Sequence, residues 1–245
     1  MARQPKLILR ESSIDEIIKN WNPGEFLETG SGTGYMTKKF LAKGFSGACY
    51  ELGSEARNKL TTNLQEYGDR IHVLNSLDEL KEREFDYLLS FEVLEHIEDD
   101  LEALKTWSKH LRAGGTLLIS VPAHQKKYGK ADAIVGHIRR YERESIQALL
   151  LNCGYEDIKI INYGFPISEI TRPISNMLIN DKQVDNSLSM EVRSTKSSFN
   201  RPTNIRKIID FFGEKWAMPF CKIQRLFYRF DWADGIIVTA RKTKD

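Results

Sequence analysis

The residues best placed for chemistry begin at Glu28-Thr29-Gly30-Ser31-Gly32-Thr33-Gly34. An apolar run precedes this segment and a helix-like pattern follows it. Glycines at such a junction permit a tight turn and let main chain approach a ligand, while the helix start offers free N–H groups. Taken alone, the turn is equally a structural one. Two acids add to it. Glu28, two residues before the first glycine, is placed to face an ammonium group. Glu51 ends a second apolar run about twenty residues further on, where a carboxylate can accept both hydrogen bonds of a ribose diol. The glycine spacing is GxGxG, and Tyr35 stands where the dinucleotide pattern has its third glycine.

A second group follows the run Phe85 to Phe91. Glu92, Glu95 and His96 fall at i, i+3 and i+4, so a helical turn there puts them on one face. They read either as acids favourable to a helix start or as a divalent-metal or general-base site. A third group is Ala123-His124-Gln125-Lys126-Lys127-Tyr128-Gly129 and Gly136-His137-Ile138-Arg139-Arg140-Tyr141. His124 and His137 are candidate bases. Tyr128 and Tyr141 are donors or stacking surfaces, and Arg139 or Arg140 suits an acceptor carboxylate or phosphate. The structural alternative is a loop whose arginines pair with Glu142 and Glu144.

The elements that must hold these groups alternate between short apolar runs and amphipathic ones, the pattern of βαβ units around a mostly parallel sheet. Strands are expected at 25–28, 47–51, 70–74, 85–91, 116–121, 155–163 and 235–241. Helices are expected from Ser12 or Ser13 as cap to Trp21, over 36–43, from a Ser54 cap to Tyr67, from about Asp99 to Leu111 with Gly114-Gly115 as its C-cap, and over 142–152. The stretch 172–202 is polar and rich in Ser and Asn, a lid or loop. Residues 204–232 look helical and mix aromatic with basic side chains, though not at one clean helical period. They read as a lid, as a wall for a bulky apolar acceptor, or as a membrane-surface contact.

At 245 residues, with net charge +2, 41% hydrophobic and 29% charged residues, the chain suits one soluble domain over 1–245 with an insertion or lid at 172–232. The charge gives no general pull towards nucleic acid. Cys49, Cys153 and Cys221 are too few and too scattered for a disulfide framework or a zinc motif, and fit a reducing cytoplasm. No apolar run approaches the roughly 18 residues of a membrane span. The oligomeric state is not legible.

Four of these segments, in order, resemble one family. Phe26 to Gly34 resembles the first motif of class I S-adenosylmethionine-dependent methyltransferases. Tyr50-Glu51-Leu52-Gly53-Ser54-Glu55-Ala56 resembles their second-strand acid, Phe85 to His96 their fourth-strand motif closing in Val-Leu-Glu-His, and Leu111-Arg112-Ala113-Gly114-Gly115-Thr116-Leu117 their glycine turn. The resemblance covers the cofactor half, about 25–122. It implies a Rossmann-like, doubly wound α/β sheet of order 3-2-1-4-5-7-6, with strand 7 antiparallel and a helical insertion before it. It also implies that Glu28, Thr29, Gly30, Ser31, Gly32 and Gly34 hold the methionine end of the cofactor, Glu51 its ribose and Leu52 its adenine. Phe91 and Glu92 would line the methionine side. An Asp usual after the third strand is missing or shifted in Asn75-Ser76-Leu77-Asp78, which leaves Ser76 and Leu77 near adenine.

Methyl transfer from a sulfonium asks for alignment and sometimes for removal of an acceptor proton. His137, His124 and Tyr128 are the residues for that step. Ubiquinone-type O-methyltransferases share the Glu-x-x-Glu-His pattern, so a divalent metal on Glu92, Glu95 and His96 is an alternative, not the favoured one. A small-molecule acceptor is expected, with O- ahead of N- or C-methylation. The rival readings are an NAD(P)-dependent oxidoreductase, against which Tyr35 and Glu28 count, and methylation of protein or RNA. Ser90-Phe91-Glu92-Val93 does not resemble the Asn-Pro-Pro-Tyr-like tetrapeptide of RNA methylation.

Overall fold

The computed structural model describes residues 5–178 and 216–244. Its strands are β1 (Glu25–Thr29), β2 (Ser46–Tyr50), β3 (Ile71–Leu74), β4 (Phe85–Phe91), β5 (Leu111–Pro122), β6 (Tyr155–Tyr163) and β7 (Gly235–Lys242). They form a seven-stranded sheet in the order β3-β2-β1-β4-β5-β7-β6. β7 runs antiparallel to both neighbours, and the other pairs are parallel. Fold class, strand order and the reversed last strand are as the resemblance implied.

Helices among the described residues include α1 (Pro5–Ile17), α2 (Tyr35–Ala42), α3 (Ser54–Leu64), α4 (Asp100–Ser108), α5 (Lys130–Val135), α6 (Arg143–Asn152) and α7 (Ile167–Leu178). Successive strand residues point to opposite faces, so each central strand feeds two cores. Leu27, Leu88 and Leu117 pack on one face with Leu104 and Trp107 of α4 and Ile146 and Leu150 of α6. Phe26, Leu89 and Leu118 pack on the other with Ile14 of α1, Phe40 of α2 and Leu60 of α3. A smaller apolar cluster of Ile8, Leu9, Ile167, Ala217 and Cys221 joins α1, α7 and the helical residues 216–223.

Four local expectations are corrected. α1 runs through Ser12 and Ser13 instead of starting there: its earlier turns bury Ile8 and Leu9, and the Ser13 hydroxyl, rather than capping, bonds back to the Leu9 carbonyl at 3.0 Å. Ser54 is the first helical residue of α3 and makes no cap; Gly53 takes that position. α4 stops at Ser108, and Gly114-Gly115 lies inside β5, where the register with β4 slips between Phe85 and Tyr87. Gly114, at φ 73°, supplies the left-handed conformation that such an irregularity uses. Finally, 172–178 belongs to α7, so the supposed loop begins as helix. Of the expected helical stretch 204–232, residues 216–223 are helical and a short 3-10 turn follows at Gln224–Phe227. Residues 179–215 lie outside the described part. No helix among the described residues is long and apolar enough to cross a membrane.

The parallel pairing of β1 and β2 sets Gly47 against Phe26 so closely that a Cβ on Gly47 would overlap the Phe26 main chain. Backbone cannot yield there without parting the two strands that carry Glu28 and Glu51. Gly47→Ala is expected to destabilise by at least about 2 kcal/mol, a fall in Tm of roughly 4–8 °C. Thermal melts check this, and a Tm within 1 °C of the unsubstituted chain contradicts the packing.

Candidate functional site

The glycine segment forms the turn between β1 and α2, with Gly30, Gly32 and Gly34 at φ 71°, 55° and 88°. A Cβ at Gly30 would overlap Val93, so glycine is required both for conformation and for closeness. The turn is laced to the end of β2: the Gly30 and Ser31 amides donate to the Tyr50 carbonyl at 2.8 and 3.1 Å. Glu51 completes the lacing. One of its buried carboxylate oxygens accepts the Gly32 amide at 2.8 Å and the other the Gly53 amide at 3.0 Å. Beside it, Leu52 is 39% exposed, an apolar surface at the mouth of the turn. The Ser31 hydroxyl donates to the Glu28 carbonyl at 3.2 Å.

Ser76 caps the short helix Leu77–Leu80, and its hydroxyl donates to Asp78 at 2.8 Å. The Asp78 charge reaches the Tyr50 hydroxyl at the end of β2. Tyr35 turns outward, 42% exposed, and donates its hydroxyl to Glu11 of α1 at 2.9 Å.

Glu28 is buried and accepts the Thr37 hydroxyl at 2.5 Å. Burial pushes its pKa up to about 8, against the lowering effect of that hydrogen bond and of Arg10. Its side chain thus keeps its proton at neutral pH. Two buried hydroxyls nearby, Thr29 Oγ1 and Ser90 Oγ, sit in register at the carboxyl ends of β1 and β4 and have no hydrogen-bond partner.

After β4 the chain turns sharply at Glu92, at φ 57°. Phe91 directs its ring into the core against Phe40, so its side chain does not line the turn. Glu92 accepts hydroxyls from Ser120 at 3.0 Å and Tyr163 at 2.9 Å, and faces Arg10 at 3.6 Å and Lys6 at 3.8 Å. Burial would raise its pKa, but Lys6 and Arg10 outweigh that and hold it at about 2. These two cations come from the first turns of α1, ahead of Ser12, where no helix was expected from the sequence; their i, i+4 spacing was the available signal. Glu95 is fully buried, and neither of its oxygens has a hydrogen-bond partner. Burial, then the nearby Glu92 charge, pushes its pKa well above the usual carboxylate range.

The loop after β5 closes over Glu95. His137 Nε2 lies 3.5 Å from Glu95, and its Nδ1 is 2.8 Å from Asp132. Burial would raise the Asp132 pKa, yet His137 and Arg140 hold it at about 2. His96 meets the His137 ring edge-on at 4.9 Å and places Nδ1 3.1 Å from the Gly136 carbonyl. The group within reach of one ion is Glu95, His96 and His137; Glu92 turns instead to Lys6, Arg10, Ser120 and Tyr163. Tyr128 donates its hydroxyl to the His137 carbonyl at 2.7 Å. His124 stands apart from His137, paired through Nδ1 with Glu142 at 2.9 Å.

The arginines of the Arg-Arg-Tyr run pair internally, but not with Glu142 or Glu144. Arg139 binds Asp100 at 2.8 Å, and Arg140 spans Asp132 at 2.9 Å and Asp234 at 2.8 Å. Tyr141 donates to Asp100 at 2.8 Å. These bonds brace the loop against the start of α4 and the turn before β7.

The donor set fits an adenosyl amino acid. The Glu51 carboxylate stands at the end of β2 against the glycine turn, where a carboxylate can accept a ribose diol. Arg10 lies between Glu28 and Glu92, a cation placed for a carboxylate; the unpartnered Thr29 and Ser90 hydroxyls add polar capacity at the strand ends, where ligands bind in such sheets.

Residues 5–160 match the methyltransferase-domain family. The ubiquinone biosynthesis O-methyltransferase of Nitrosomonas europaea is 25% identical over 116 residues, 46% of this chain and 49% of that protein. The protein of the same name from Rickettsia canadensis is 27% identical over 122 residues, 48% of this chain and 52% of that one. The matches thus span about half the length of these curated relatives. Among solved structures, a Haemonchus contortus phosphoethanolamine N-methyltransferase 2 with S-adenosyl-L-methionine has TM-score 0.59 at 14% identity, over 96% of this chain and 52% of that one. The Burkholderia thailandensis 1,6-didemethyltoxoflavin-N1-methyltransferase, with S-adenosylhomocysteine bound, has TM-score 0.56 at 17% identity, over 97% and 79%. At these identities the solved structures establish the fold. With the family match covering most of the chain, the conclusion is that this protein belongs to the methyltransferase-domain family.

Proposed function

We propose that the chain methylates a hydroxyl of a small-molecule acceptor, with His137 taking the acceptor proton. The observation that carries this reading is the Asp132–His137 pair at 2.8 Å, presented beside Glu95 at the carboxyl edge of the sheet. A hydroxyl, unlike a free amine, needs its proton removed as it is alkylated. Asp132 holds the proton on Nδ1, leaves Nε2 as the basic nitrogen, and stabilises the cation that forms. The Tyr128 bond to the His137 carbonyl fixes the backbone of that residue. The relatives named as O-methyltransferases support the choice of acceptor atom.

S-adenosylmethionine supplies a methyl group on a sulfonium, whose thioether leaves without an acid. Glu51 would hold the ribose, Leu52 the adenine face together with Ser76, Leu77 and Asp78, and the turn Glu28 to Gly34 the amino-acid end. Arg10 would take the carboxylate and Glu28 the ammonium group. α7 and the helical residues 216–223, which pack on α1 in the turns that carry Lys6 and Arg10, would form part of the acceptor wall. A second reading, a divalent cation on Glu95, His96 and His137, is favoured by the unpartnered Glu95 oxygens. Full activity of an EDTA-treated preparation would remove it.

Calorimetry tests the cofactor assignment. S-adenosylmethionine and S-adenosylhomocysteine are expected to bind, NADH is not, and Glu51→Ala is expected to weaken both sulfur ligands at least about tenfold. Binding of NADH alone contradicts the reading. A panel of catechols, phenols and amines then tests the acceptor. With a hydroxylated acceptor, His137→Ala should lower kcat by about 100-fold or more while S-adenosylhomocysteine affinity stays within about twofold. Unchanged turnover in that variant, or turnover of amines alone, overturns it.

The raised Glu28 pKa gives a pH-linked expectation. At pH 7 a carboxyl with a pKa of about 8 is mostly protonated, and an ammonium partner favours its ionised form. Binding of S-adenosylhomocysteine at pH 7 should therefore release close to one proton, read by calorimetry in buffers of different ionisation enthalpy. Glu28→Gln should abolish the release; proton uptake by the unsubstituted chain would contradict the assignment.

A further inference from the structure

Away from the methyl-transfer centre, three elements converge on one imidazole. His124 follows β5, Glu142 precedes α6, and Asp231 lies in the turn before β7. His124 is only 3% exposed. Its Nδ1 lies 2.9 Å from one Glu142 oxygen, and the other Glu142 oxygen accepts the Gln125 amide at 2.9 Å. A carboxylate in that place keeps the proton on Nδ1 and turns the Nε2 lone pair outward, the arrangement that orients metal-ligating histidines. Nε2 has no hydrogen-bond partner. It faces Asp231 Oδ1 at 3.7 Å, which is too long for a hydrogen bond. It is close to the separation of two ligands that each lie about 2.0–2.2 Å from a shared ion.

The direction of the imidazole is imposed by the main chain. His124 has φ 64°, a left-handed conformation that non-glycine residues rarely adopt. Its amide is held by the Tyr141 carbonyl at 2.9 Å, and its own carbonyl accepts the Lys127 amide at 2.8 Å. Glu142 and Asp231 are roughly 40% exposed on their side chains, so the group is open to an ion from solution.

The surroundings select the ion. Asp231 Oδ1 already accepts the Asn162 amide group at 3.2 Å, and the Arg143 guanidinium lies 3.9 Å away. That guanidinium opposes any dication alike, but a single carboxylate oxygen is too few for calcium or magnesium, which depend on several oxygen ligands. An imidazole nitrogen with one carboxylate suits a borderline transition ion instead. We propose that His124 and Asp231 bind one divalent transition-metal ion of the zinc, cobalt or nickel type, with Glu142 orienting the imidazole and water completing the shell. Such an ion would pin the turn that carries Phe230 and Trp232 to the loop that leads to His137. The proposal does not depend on the identity of the methyl acceptor.

Titration of the full chain with Co2+, followed by visible absorption and by calorimetric competition with Zn2+, tests this. Measurements on a His137→Ala background silence the separate group of Glu95, His96 and His137. One equivalent of Co2+ is expected to bind that background. Adding Asp231→Asn should weaken it at least tenfold, and Glu142→Gln by about 10–100-fold. His124→Asn, which tolerates the left-handed conformation, should remove it. If the His124 variant fails to fold, the half-exposed Asp231 position decides the question. No Co2+ uptake by the His137→Ala background, or uptake unchanged by Asp231→Asn, overturns the proposal.

Discussion

The Glu51 carboxylate is the constraint around which the cofactor half is arranged. It closes the glycine turn from the neighbouring strand, accepting the Gly32 amide with one oxygen and the Gly53 amide with the other. A polar group buried this deeply is tolerated only when hydrogen-bond partners meet it, and these amides belong to both elements that flank the cofactor mouth. The position of the turn, the start of α2 and the start of α3 are therefore set together. β1 and β2 must in turn lie close enough for this, which is why Gly47 meets Phe26 without a side chain between them.

Charge balance sets the acceptor side. Glu92, Asp132 and Asp234 are carboxylates taken out of water; Glu92 and Asp234 are matched by cations from distant parts of the chain, Lys6 and Arg10 of α1 and Arg140, and Asp132 by Arg140 of its own loop. Removing one partner of such a pair strands the other, so the arrangement acts as a unit. Glu95 and Glu28 lie within the same region without enough positive charge: burial leaves Glu28 mostly protonated at pH 7 and pushes the Glu95 pKa well above the usual carboxylate range. One site thus holds ionised and neutral carboxyls side by side, which suits an incoming ligand that carries its own ammonium and carboxylate.

Most strands were legible because burial on both faces demands continuous apolar runs, as in Phe85 to Phe91, and the glycine turn because its conformation restricts residue type. Long-range pairing was not legible. Lys6 and Arg10 look like any surface cations until α1 is laid against Glu92. Leu111 and Arg112 continue the amphipathic pattern of α4, yet Leu111 pairs with Phe85 and the chain reverses role at Gly114. His124 and His137 share a loop, but main-chain direction sends one towards Glu142 and the other towards Glu95. Spacing along a loop carries no information about which way a side chain turns.

The most direct test of the central claim is the structure of this chain crystallised with S-adenosylhomocysteine. The account predicts the ribose hydroxyls on Glu51, the ligand carboxylate near Arg10, and the sulfur on the side of Glu92 and His137. A ligand bound elsewhere on the sheet, or one in this turn that leaves Glu51 untouched, would contradict it.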